Sequence, residues 1–326
     1  MLGTAARAPT RDRNPNGYLF RWDDDHAILV DPGEGTQRQL VRAGVSPHHV
    51  THICLTHLHA DHFLGLPGVL EQIRTDDDHE LTVHFPASGF SEVEQLCSVG
   101  AGTRPRVHLD PVPIGHPMAW TTVVDEPLLR IGALPLRHSV DTLGWRIEQP
   151  ARRHLDPARA AQAGIAGTDL GRLQHDGLIR VDGVDHSFDE LSDLVPGVRA
   201  AVIMDTGVCE AAVELATEAD LVLCEATFVD AEATLAAASG HLTARQAATI
   251  ARQARAHRLV LTHFSGRYDN TDQHQREAEE VFANVSCASD LAVVAIAAPR
   301  HAHSRPGSLN SGVEGRARPA LDRGHD

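Results

Sequence analysis

The sequence contains no lysine, so all 29 of its basic residues are arginines. Acidic residues number 44, which gives a formal net charge of −15. This excess of acidic residues argues against nonspecific nucleic-acid binding, which usually depends on a broad basic surface. Contacts to individual phosphates stay compatible with it, because they need only a few well-placed cations and arginine suits bidentate phosphate contacts.

Paired cysteines and long apolar runs are also absent. The five cysteines are scattered without a C-x-x-C pair, which argues against a disulfide framework and against a cysteine-based zinc site. No apolar run approaches the ~18 residues needed to span a membrane, and the N-terminus lacks the apolar core of a signal peptide. These absences predict a cytoplasmic protein that is not bound to a membrane.

Short apolar runs alternate with helical stretches along most of the chain. Strands are predicted at nine runs: 27–33, 52–56, 81–87, 118–124, 128–138, 200–206, 221–227, 258–264 and 291–297. Helices are predicted at 34–44, 207–219, 243–257 and 274–283. Interleaved strands and helices indicate a layered α/β fold.

Two segments break this alternation. Residues 148–198 contain proline, glycine and charges but little strand character, so an insertion that projects from the domain is predicted there. The segment 301–326 is rich in Gly, Ser, Pro and Arg without periodicity, which predicts a disordered tail. Residues 1–300 are then expected to form one catalytic domain that carries the insertion.

The densest group of potential metal ligands is THLHADH at 56–62, directly after an apolar run. On an extended segment His57 and His59 point to the same side, and Asp61 and His62 can face a second point as the chain turns. Two imidazoles for one ion and an Asp–His pair for its neighbour is the natural division. Mixed nitrogen and oxygen ligands suit zinc, with manganese or iron as alternatives.

Three further candidate ligands end apolar runs elsewhere in the chain, namely His138, Asp205 and His263. Each by itself could be a hydrogen-bonded strand-end residue, but their coincidence with THLHADH favours a dinuclear site. Asp205 suits the bridging position because a carboxylate has two oxygens. Two neighbouring ions lower the pKa of a shared water and neutralise charge on a phosphoryl group.

The candidate ligands belong to a series of motifs along the chain: LGTAARAPTRDRNPNGYLF (2–20), DPGEGTQRQL (31–40), THLHADHFLGLPG (56–68), RHSVDTLGWRIE (137–148), MDTG (204–207), CEATF (224–228), HLTARQAA (241–248) and LTHFSGRY (261–268). These motifs resemble those of the metallo-β-lactamase fold superfamily and, within it, of the ribonuclease Z family. The resemblance extends from about residue 2 to residue 297, with Trp145 where tyrosine is usual. GEGTQRQ, HLTA and HFSGRY are more specific to ribonuclease Z than H-x-H-x-D-H is.

The resemblance implies an αββα sandwich: two sheets face to face, helices outside, a protruding arm near 148–198 and a dinuclear site at the strand ends. It also implies two zinc ions per subunit. Seven side chains would hold them: His57, His59 and His138 the first, Asp61, His62 and His263 the second, with Asp205 bridging both.

Three catalytic roles follow from the same resemblance. Asp61 would also act as the base toward the attacking water, and His241 would donate a proton to the leaving 3′ oxygen. Glu225 would hold the His241 imidazole in the required tautomer and raise its basicity. Two structural alternatives stay open: His241 could merely precede a helix capped by Thr243, and Glu225 could be a buried, paired carboxylate.

Ser265 and Arg267 directly follow a ligand strand and are candidate substrate contacts. Arg267 could clamp an RNA phosphate, or it could pair with an acidic neighbour such as Asp269. Residues 146–180 contain six arginines and four acidic residues, a local charge of +2 that favours an RNA-gripping arm. The alternative is a solvated insertion, because AGIAGTDLGRL stands where the family has a Gly-Pro-rich core.

The function implied by the resemblance is removal of the 3′ trailer from precursor tRNA, leaving a 3′-hydroxyl on the tRNA. A homodimer is also implied, in which the arm of one subunit holds the tRNA that the other subunit cuts. One alternative is a small-molecule hydrolase on the same scaffold, such as a cyclic-nucleotide phosphodiesterase, lactonase or thioesterase. A second is a catalytically silent RNA-binding relative, against which the intact set of candidate ligands argues.

Overall fold

A computed structural model describes residues 1–21, 26–73, 80–99, 106–116 and 118–296. The first of its two main sheets is built from β1 (Tyr18–Arg21), β2 (Ala27–Val30), β3 (Val50–Cys54), β4 (Glu80–Pro86) and β5 (Arg106–Val112). The strands lie in chain order across the sheet. Strands β1 and β2 are antiparallel, and the other neighbours are parallel.

The second main sheet and a smaller unit contain the other described strands. They are β6 (Thr121–Asp125), β7 (Arg130–Leu136), β8 (Thr142–Gln149), β9 (Arg152–Leu155), β10 (Leu178–Val181), β11 (Val184–Ser187), β12 (Ser192–Val195), β13 (Val198–Ile203), β14 (Leu221–Glu225), β15 (Leu259–Thr262) and β16 (Val285–Cys287). The second sheet has the order β16-β15-β14-β13-β8-β7-β6. Strands β13 to β16 run parallel, whereas β6, β7 and β8 are antiparallel.

Helices lie on the outer faces of the two sheets and, between residues 157 and 176, in the smaller unit. They are α1 (Thr36–Ala43), α2 (Ala60–Phe63), α3 (Leu66–Gln72), α4 (Phe90–Cys97), α5 (Pro157–Gln162), α6 (Thr168–Asp176), α7 (Glu210–Ala216), α8 (Ala233–Ser239), α9 (Ala244–Gln253) and α10 (Asp272–Glu279). Residues of α1, α3 and α4 share a core with the first sheet, and residues of α7 and α9 share one with the second. None of the helices in the described ranges is long and apolar enough to cross a bilayer.

A third core fills the space between the sheets and joins them face to face. It contains Ile28 and Val30 from β2, Trp145 from β8 and Val202 from β13. The intervening residue Leu29 packs on the helix side of the same strand. Apolar residues on both faces explain why β2 appears in the sequence as a continuous apolar run. The predicted αββα sandwich is therefore confirmed.

Residues 152–195 lie outside the two main sheets and have a small core of their own. Strand β9 pairs with β12, β10 pairs with β11, and α5 and α6 lie between these strands in the chain. The prediction of little strand character here was wrong. Asp182 and Gly183 both adopt left-handed backbone, with φ values of 50° and 83°, and close the β10–β11 hairpin. An Asp-Gly pair between short apolar stretches was the overlooked signal.

The strand predicted at 291–297 is also not present in its described part. Residues 291–296 contain no strand, and Leu291 has a positive φ of 65°. The backbone of this segment instead bonds the N-terminus, from Leu291 N to the Met1 carbonyl and from the Met1 amine to the Ala292 carbonyl. The segment is apolar because Val294 and Ile296 pack against the core between the sheets. The predicted tail 301–326 lies outside the described residues.

Candidate metal centre

All seven predicted ligands meet at one edge of the sandwich, where strands of both sheets end. The 57–62 segment leaves β3 and enters α2, with His59 at the N-cap in extended backbone. His138 and Asp205 each follow two residues after their strands, β7 and β13, and His263 follows β15 directly. The strands are buried, so they hold these polar side chains at defined places along the edge.

Four of these side chains form a first group around one point. Ligand atoms of His57, His59, His138 and Asp205 all lie within 4.8 Å of one another. His59 Nδ1 is 2.9 Å from His57 Nε2 and 3.3 Å from His138 Nε2. Asp205 Oδ2 lies 3.5 Å from His57 Nε2 and 3.7 Å from His138 Nε2.

A second group lies on the other side of Asp205. It contains Asp61, His62 and His263, whose ligand atoms lie within 4.8 Å of one another. Asp205 Oδ1 is 3.3 Å from His62 Nε2 and 3.1 Å from His263 Nε2. Asp61 Oδ2 is 3.5 Å from each of these two nitrogens. Asp205 thus turns one oxygen toward each group, which is the arrangement that a bridging carboxylate requires.

The donor atoms fit a divalent cation. Asp205 Oδ1 and His263 Nε2 are buried 3.1 Å apart, yet neither has a hydrogen-bond partner among the described residues. Buried polar atoms normally have a partner, and an ion between these two would supply it. Imidazole nitrogens and carboxylate oxygens are the ligands that zinc and similar metals prefer. These groups therefore indicate a divalent metal centre.

The pKa shifts show which charges the surroundings favour. Burial lowers the pKa of His57 and of His138, which keeps both imidazoles in the neutral form that binds metals. Burial would also lower the pKa of His62, but Asp205 and Asp31 outweigh it and raise that pKa well above its ordinary value. These carboxylates therefore create a site that stabilises positive charge, as a bound cation would.

A buried carboxylate and a threonine hold the ligands of the first sheet. Thr56 Oγ1 donates to Asp31 Oδ2 at 2.7 Å and lies 3.1 Å from His57 Nδ1. Asp31 Oδ2 also lies 2.7 Å from His62 Nδ1. We call Asp31 and Thr56 the first brace. It engages the Nδ1 atoms of two ligand candidates and so directs their Nε2 atoms toward the centre.

The second sheet has a matching pair, Glu225 and Thr227, which we call the second brace. Thr227 Oγ1 donates to Glu225 Oε2 at 2.6 Å and lies 2.8 Å from His263 Nδ1. Glu225 Oε1 lies 3.0 Å from His241 Nδ1. Glu225 is fully buried, whereas the side chain of His241 is 16% exposed. Burial lowers the pKa of His241, but Glu225 outweighs it and raises that pKa to about 9.

The two predicted substrate contacts, Ser265 and Arg267, lie on the loop after β15. Arg267 Nη1 donates to Glu232 Oε1 at 2.5 Å and its Nε donates to Ser265 Oγ at 3.3 Å. The guanidinium also lies 5.1 Å from the centre of the Phe228 ring. Its acidic partner is therefore Glu232 and not Asp269, because the fold places the start of α8 beside this loop. A phosphate contact by Arg267 stays a prediction.

Sequence reasoning missed several residues that support the centre. Asp31 follows the apolar run of β2, which is the same signal that identified Asp205, and Thr227 lies two residues after Glu225. The backbone amide of Arg7 donates to Asp61 Oδ2 at 2.6 Å, a contact for which the sequence offers no signal. Gly33 lies so close to the ligand loop that an added Cβ would be 2.2 Å from the Asp61 carbonyl oxygen.

The net positive charge that favoured an RNA-gripping arm is not found when charges are counted over the whole folded unit. Residues 150–195 contain five arginines and eight acidic residues, a net charge of −3. Four of the five arginines are in ion pairs within the unit: Arg153 with Asp189, Arg159 with Asp156 and Asp193, Arg172 with Asp169, and Arg180 with Asp185. The local excess at 146–180 arose because that window ended before the acidic half of the folded unit.

Known proteins share the fold of this chain. Family models match residues 10–148 (Metallo-beta-lactamase superfamily) and residues 192–264 (Beta-lactamase superfamily domain). The chain is similar to a solved structure, human tRNase Z, short form, with a TM-score of 0.64, 25% identity and coverage of 91% of this chain and 98% of that one.

Curated bacterial relatives are more similar in sequence. Ribonuclease Z of Streptomyces coelicolor (strain ATCC BAA-471 / A3(2) / M145) is 44% identical over 85% of this chain and 90% of its own. Ribonuclease Z of Nocardia farcinica (strain IFM 10152) is 45% identical over 89% of this chain and 95% of its own. Identity at this level over nearly the full length of both chains shows common family membership. The chain therefore belongs to the ribonuclease Z family.

Proposed function

We propose that this protein is a metal-dependent endoribonuclease that removes the 3′ trailer from precursor tRNA and leaves a 3′-hydroxyl on the tRNA. The observation that carries the proposal is a partly exposed imidazole, His241, on the edge of the buried ligand cluster. Its Nδ1 lies 3.0 Å from Glu225 and 3.9 Å from Asp205. Chemistry on a phosphodiester needs both a charged centre and a proton donor for the leaving oxygen, and this edge provides both.

We further propose two zinc ions per subunit, with manganese or iron as alternatives. His57, His59 and His138 would hold the first ion, and Asp205 would bridge to the second. The remaining three ligand candidates, Asp61, His62 and His263, would complete the second site. The division of Asp205 oxygens between the two groups supports this assignment. When bound, such ions activate water and neutralise charge on the phosphoryl oxygens.

Asp61 would take the proton of the attacking water. Its Oδ2 accepts hydrogen bonds from the Arg7 amide at 2.6 Å and from Asn16 Nδ2 at 3.3 Å, which hold the carboxylate in one orientation. Burial would raise the pKa of Asp61, but the neighbouring imidazoles of His263 and His62 keep it below its ordinary value. Asp61 therefore stays ionised near neutral pH and can act as a base.

His241 would donate the proton at the other end of the reaction. Its Nδ1–H is held by Glu225, so the Nε2–H of the imidazolium remains for the 3′ oxygen. The bond from phosphorus to the ribose 3′ oxygen breaks, and a bond from phosphorus to the water oxygen forms. The 3′ oxygen takes the Nε2 proton and becomes the tRNA 3′-hydroxyl, while the trailer keeps the phosphate. A pKa of about 9 keeps His241 protonated at neutral pH.

We also propose that the protein is a homodimer and that the unit at 152–195 of one subunit holds the tRNA cut by the other. This rests on family resemblance and on the position of the unit outside the main sheets. Its paired charges mean that shape and backbone contacts would contribute more than net positive charge. Precursor tRNA is made in the bacterial cytoplasm, which is the location we propose.

A small-molecule hydrolase on the same scaffold is not favoured. The chain matches curated ribonuclease Z sequences at 44% and 45% identity over most of their length. The decisive experiment incubates the purified protein with a 3′-extended tRNA transcript and maps the cut, with His241→Ala in parallel. Turnover of a chromogenic phosphodiester without cleavage of the transcript would contradict the proposal. Deletion of residues 152–195 is expected to abolish cleavage of the transcript but not turnover of the chromogenic phosphodiester.

A further inference from the structure

The Thr227 hydroxyl lies between a carboxylate and a candidate metal ligand. Its Oγ1 is 2.6 Å from Glu225 Oε2 on one side and 2.8 Å from His263 Nδ1 on the other. Thr227 is 4% exposed, Glu225 is 0% and His263 is 1%, so water does not compete strongly for these contacts. Thr227 Oγ1 also lies 3.4 Å from His241 Nδ1, but that nitrogen has a shorter contact of 3.0 Å to Glu225 Oε1. The protons of this chain of atoms must therefore be accounted for by these side chains themselves.

The direction of the bonds follows from the carboxylate. Glu225 accepts from the backbone amides of Thr206, at 2.8 Å, and Leu242, at 3.1 Å. An ionised carboxylate can only accept, so the single hydroxyl proton of Thr227 points to Glu225. The hydroxyl oxygen is then left as an acceptor toward His263. His263 must carry its proton on Nδ1, and its Nε2 keeps a free lone pair.

That lone pair points into the ligand cluster. His263 Nε2 lies 3.1 Å from Asp205 Oδ1 and 3.5 Å from Asp61 Oδ2, and it has no hydrogen-bond partner among the described residues. His263 also has a left-handed backbone, with φ of 59°, which is uncommon for a residue other than glycine. The backbone therefore holds an unusual conformation at the residue whose ring must point accurately.

We infer that Thr227 is a positioning residue whose hydroxyl sets the tautomer and ring orientation of His263 for metal binding. Through it, Glu225 acts on two imidazoles: directly on His241 and, by way of the hydroxyl, on His263. The inference deepens the proposed function, because it rests on His263 being a metal ligand. Thr56 provides an internal parallel, since its hydroxyl joins Asp31 to the Nδ1 of His57 in the same way.

The experiment compares Thr227→Val, which keeps the shape but removes the hydroxyl, with Thr227→Ser, which restores it. Metal content is measured by elemental analysis after equilibration with a graded series of a zinc chelator. We expect T227V to hold the weaker-bound ion about 10- to 100-fold less tightly, as is typical when a supporting hydrogen bond is lost, and T227S to approach the wild type. Thr249→Val is the matched control, because within the described part of the chain its hydroxyl donates to the Arg245 carbonyl in α9 and to no group of the metal centre.

Other outcomes separate this inference from the function on which it rests. If T227V and the wild type bind zinc equally tightly while His263→Ala loses an ion, the role of Thr227 is overturned but the ligand assignment of His263 is not. Unchanged zinc content in H263A would instead overturn the ligand assignment. If T227V does not fold, nitrogen NMR of histidine side chains in the metal-free wild type gives the test. His263 is expected as the Nδ1–H tautomer, and the Nε2–H tautomer would contradict the inference.

Discussion

Both sheets hold imidazoles at the metal centre with the same arrangement of residues, but one of these imidazoles is more exposed than the others. Each brace consists of a buried carboxylate and a threonine hydroxyl, and each contacts two histidine Nδ1 atoms. In the first brace both imidazoles, those of His57 and His62, are buried ligand candidates. In the second, His263 is buried but His241 is partly exposed.

His62 and His241 both contact a buried carboxylate through Nδ1, but their side chains differ in how far they are exposed. The side chain of His62 is fully buried, and its Nε2 lies within 3.5 Å of both Asp61 and Asp205. His241 is 16% exposed and its Nδ1 is 3.9 Å from the nearer Asp205 oxygen. In the proposed mechanism, a carboxylate behind an imidazole supports metal binding where the ring is enclosed and proton transfer where the ring is partly exposed. His241 also lies in a group with Asp205 and His263 that could hold an ion, so the two roles need to be tested separately.

The largest effect is expected from Asp205→Asn, because Asp205 joins the two halves. An amide cannot offer an anionic oxygen to each group, so we expect at least one ion to be lost. Metal activation contributes several kcal/mol, which corresponds to roughly a 10⁴-fold loss in rate. Single-turnover cleavage of a 3′-extended tRNA, together with zinc analysis, checks this. Full zinc content in D205N would exclude the bridge.

The comparison itself is tested by changing the two carboxylate-bound imidazoles separately. His241→Ala is expected to lower the single-turnover rate about 10²- to 10³-fold, within the usual range of general acid catalysis, with zinc content unchanged. His62→Ala is expected to lower zinc content as well as rate. If H241A also lost an ion, the two histidines would be equivalent ligands and the distinction would be wrong.

Loss of the first hydroxyl should resemble loss of the second. Thr56→Val removes the contact to His57 Nδ1 but leaves the direct contact between Asp31 and His62, 2.7 Å long. We expect zinc affinity to fall about 10-fold, at the lower end for a supporting hydrogen bond. A chelator titration of T56V beside Thr56→Ser measures it. If T56V binds zinc as tightly as the wild type, the two braces have the same geometry but Thr56 does not support metal binding.

Loss of the Thr56 or Thr227 hydroxyl is not expected to change the pH dependence of activity. Loss of the Glu225 charge is expected to change it. Burial lowers the pKa of His241 and the charge of Glu225 raises it, to about 9. His241 is active when protonated, so activity falls as pH rises through this pKa. Glu225→Gln removes the charge, and the basic limb of kcat/KM is expected to move to lower pH. In T227V that limb should stay in place, because His241 contacts Glu225 Oε1 directly.

The last prediction concerns the stability of the first sheet. His52 Nδ1 lies 3.0 Å from His84 Nε2, whose Nδ1 lies 2.7 Å from Asp110 Oδ2. Burial, followed by the charge of His84, lowers the pKa of His52 to about 4. The folded state then binds fewer protons than the unfolded state between pH 6.5 and 4, so stability is full above pH 6.5 and falls as pH decreases through this window.

His52→Asn keeps an N–H near the position of Nδ1 but does not titrate. The wild type is expected to lose on the order of 2 kcal/mol more free energy of unfolding than H52N between pH 6.5 and 4.5. Urea denaturation at a series of pH values measures the difference. Parallel losses in the two proteins would show that His52 does not contribute to the acid sensitivity of this sheet.

Eight of the nine predicted strands and all four predicted helices correspond to elements of the structure, because each buries an apolar face. The other eight described strands and six described helices were not predicted from the sequence. The runs that became β2, β3, β14 and β15 are apolar on both sides, as expected for strands between two layers. The hairpin β10–β11 was missed because its short strands are largely exposed and only the Asp-Gly turn identifies them. The run at 291–297 was misassigned because apolar packing does not require strand geometry.

The sequence by itself determined which groups are candidates for the centre: the seven predicted ligands, His241 and Glu225 all stand in its motifs. Only the tertiary structure decided how these groups are oriented. A hydrogen bond has a direction and a length, and motifs carry neither. That Thr56 and Thr227 face a carboxylate and an imidazole at once, or that Arg267 meets Glu232, depends on contacts between segments distant in the chain.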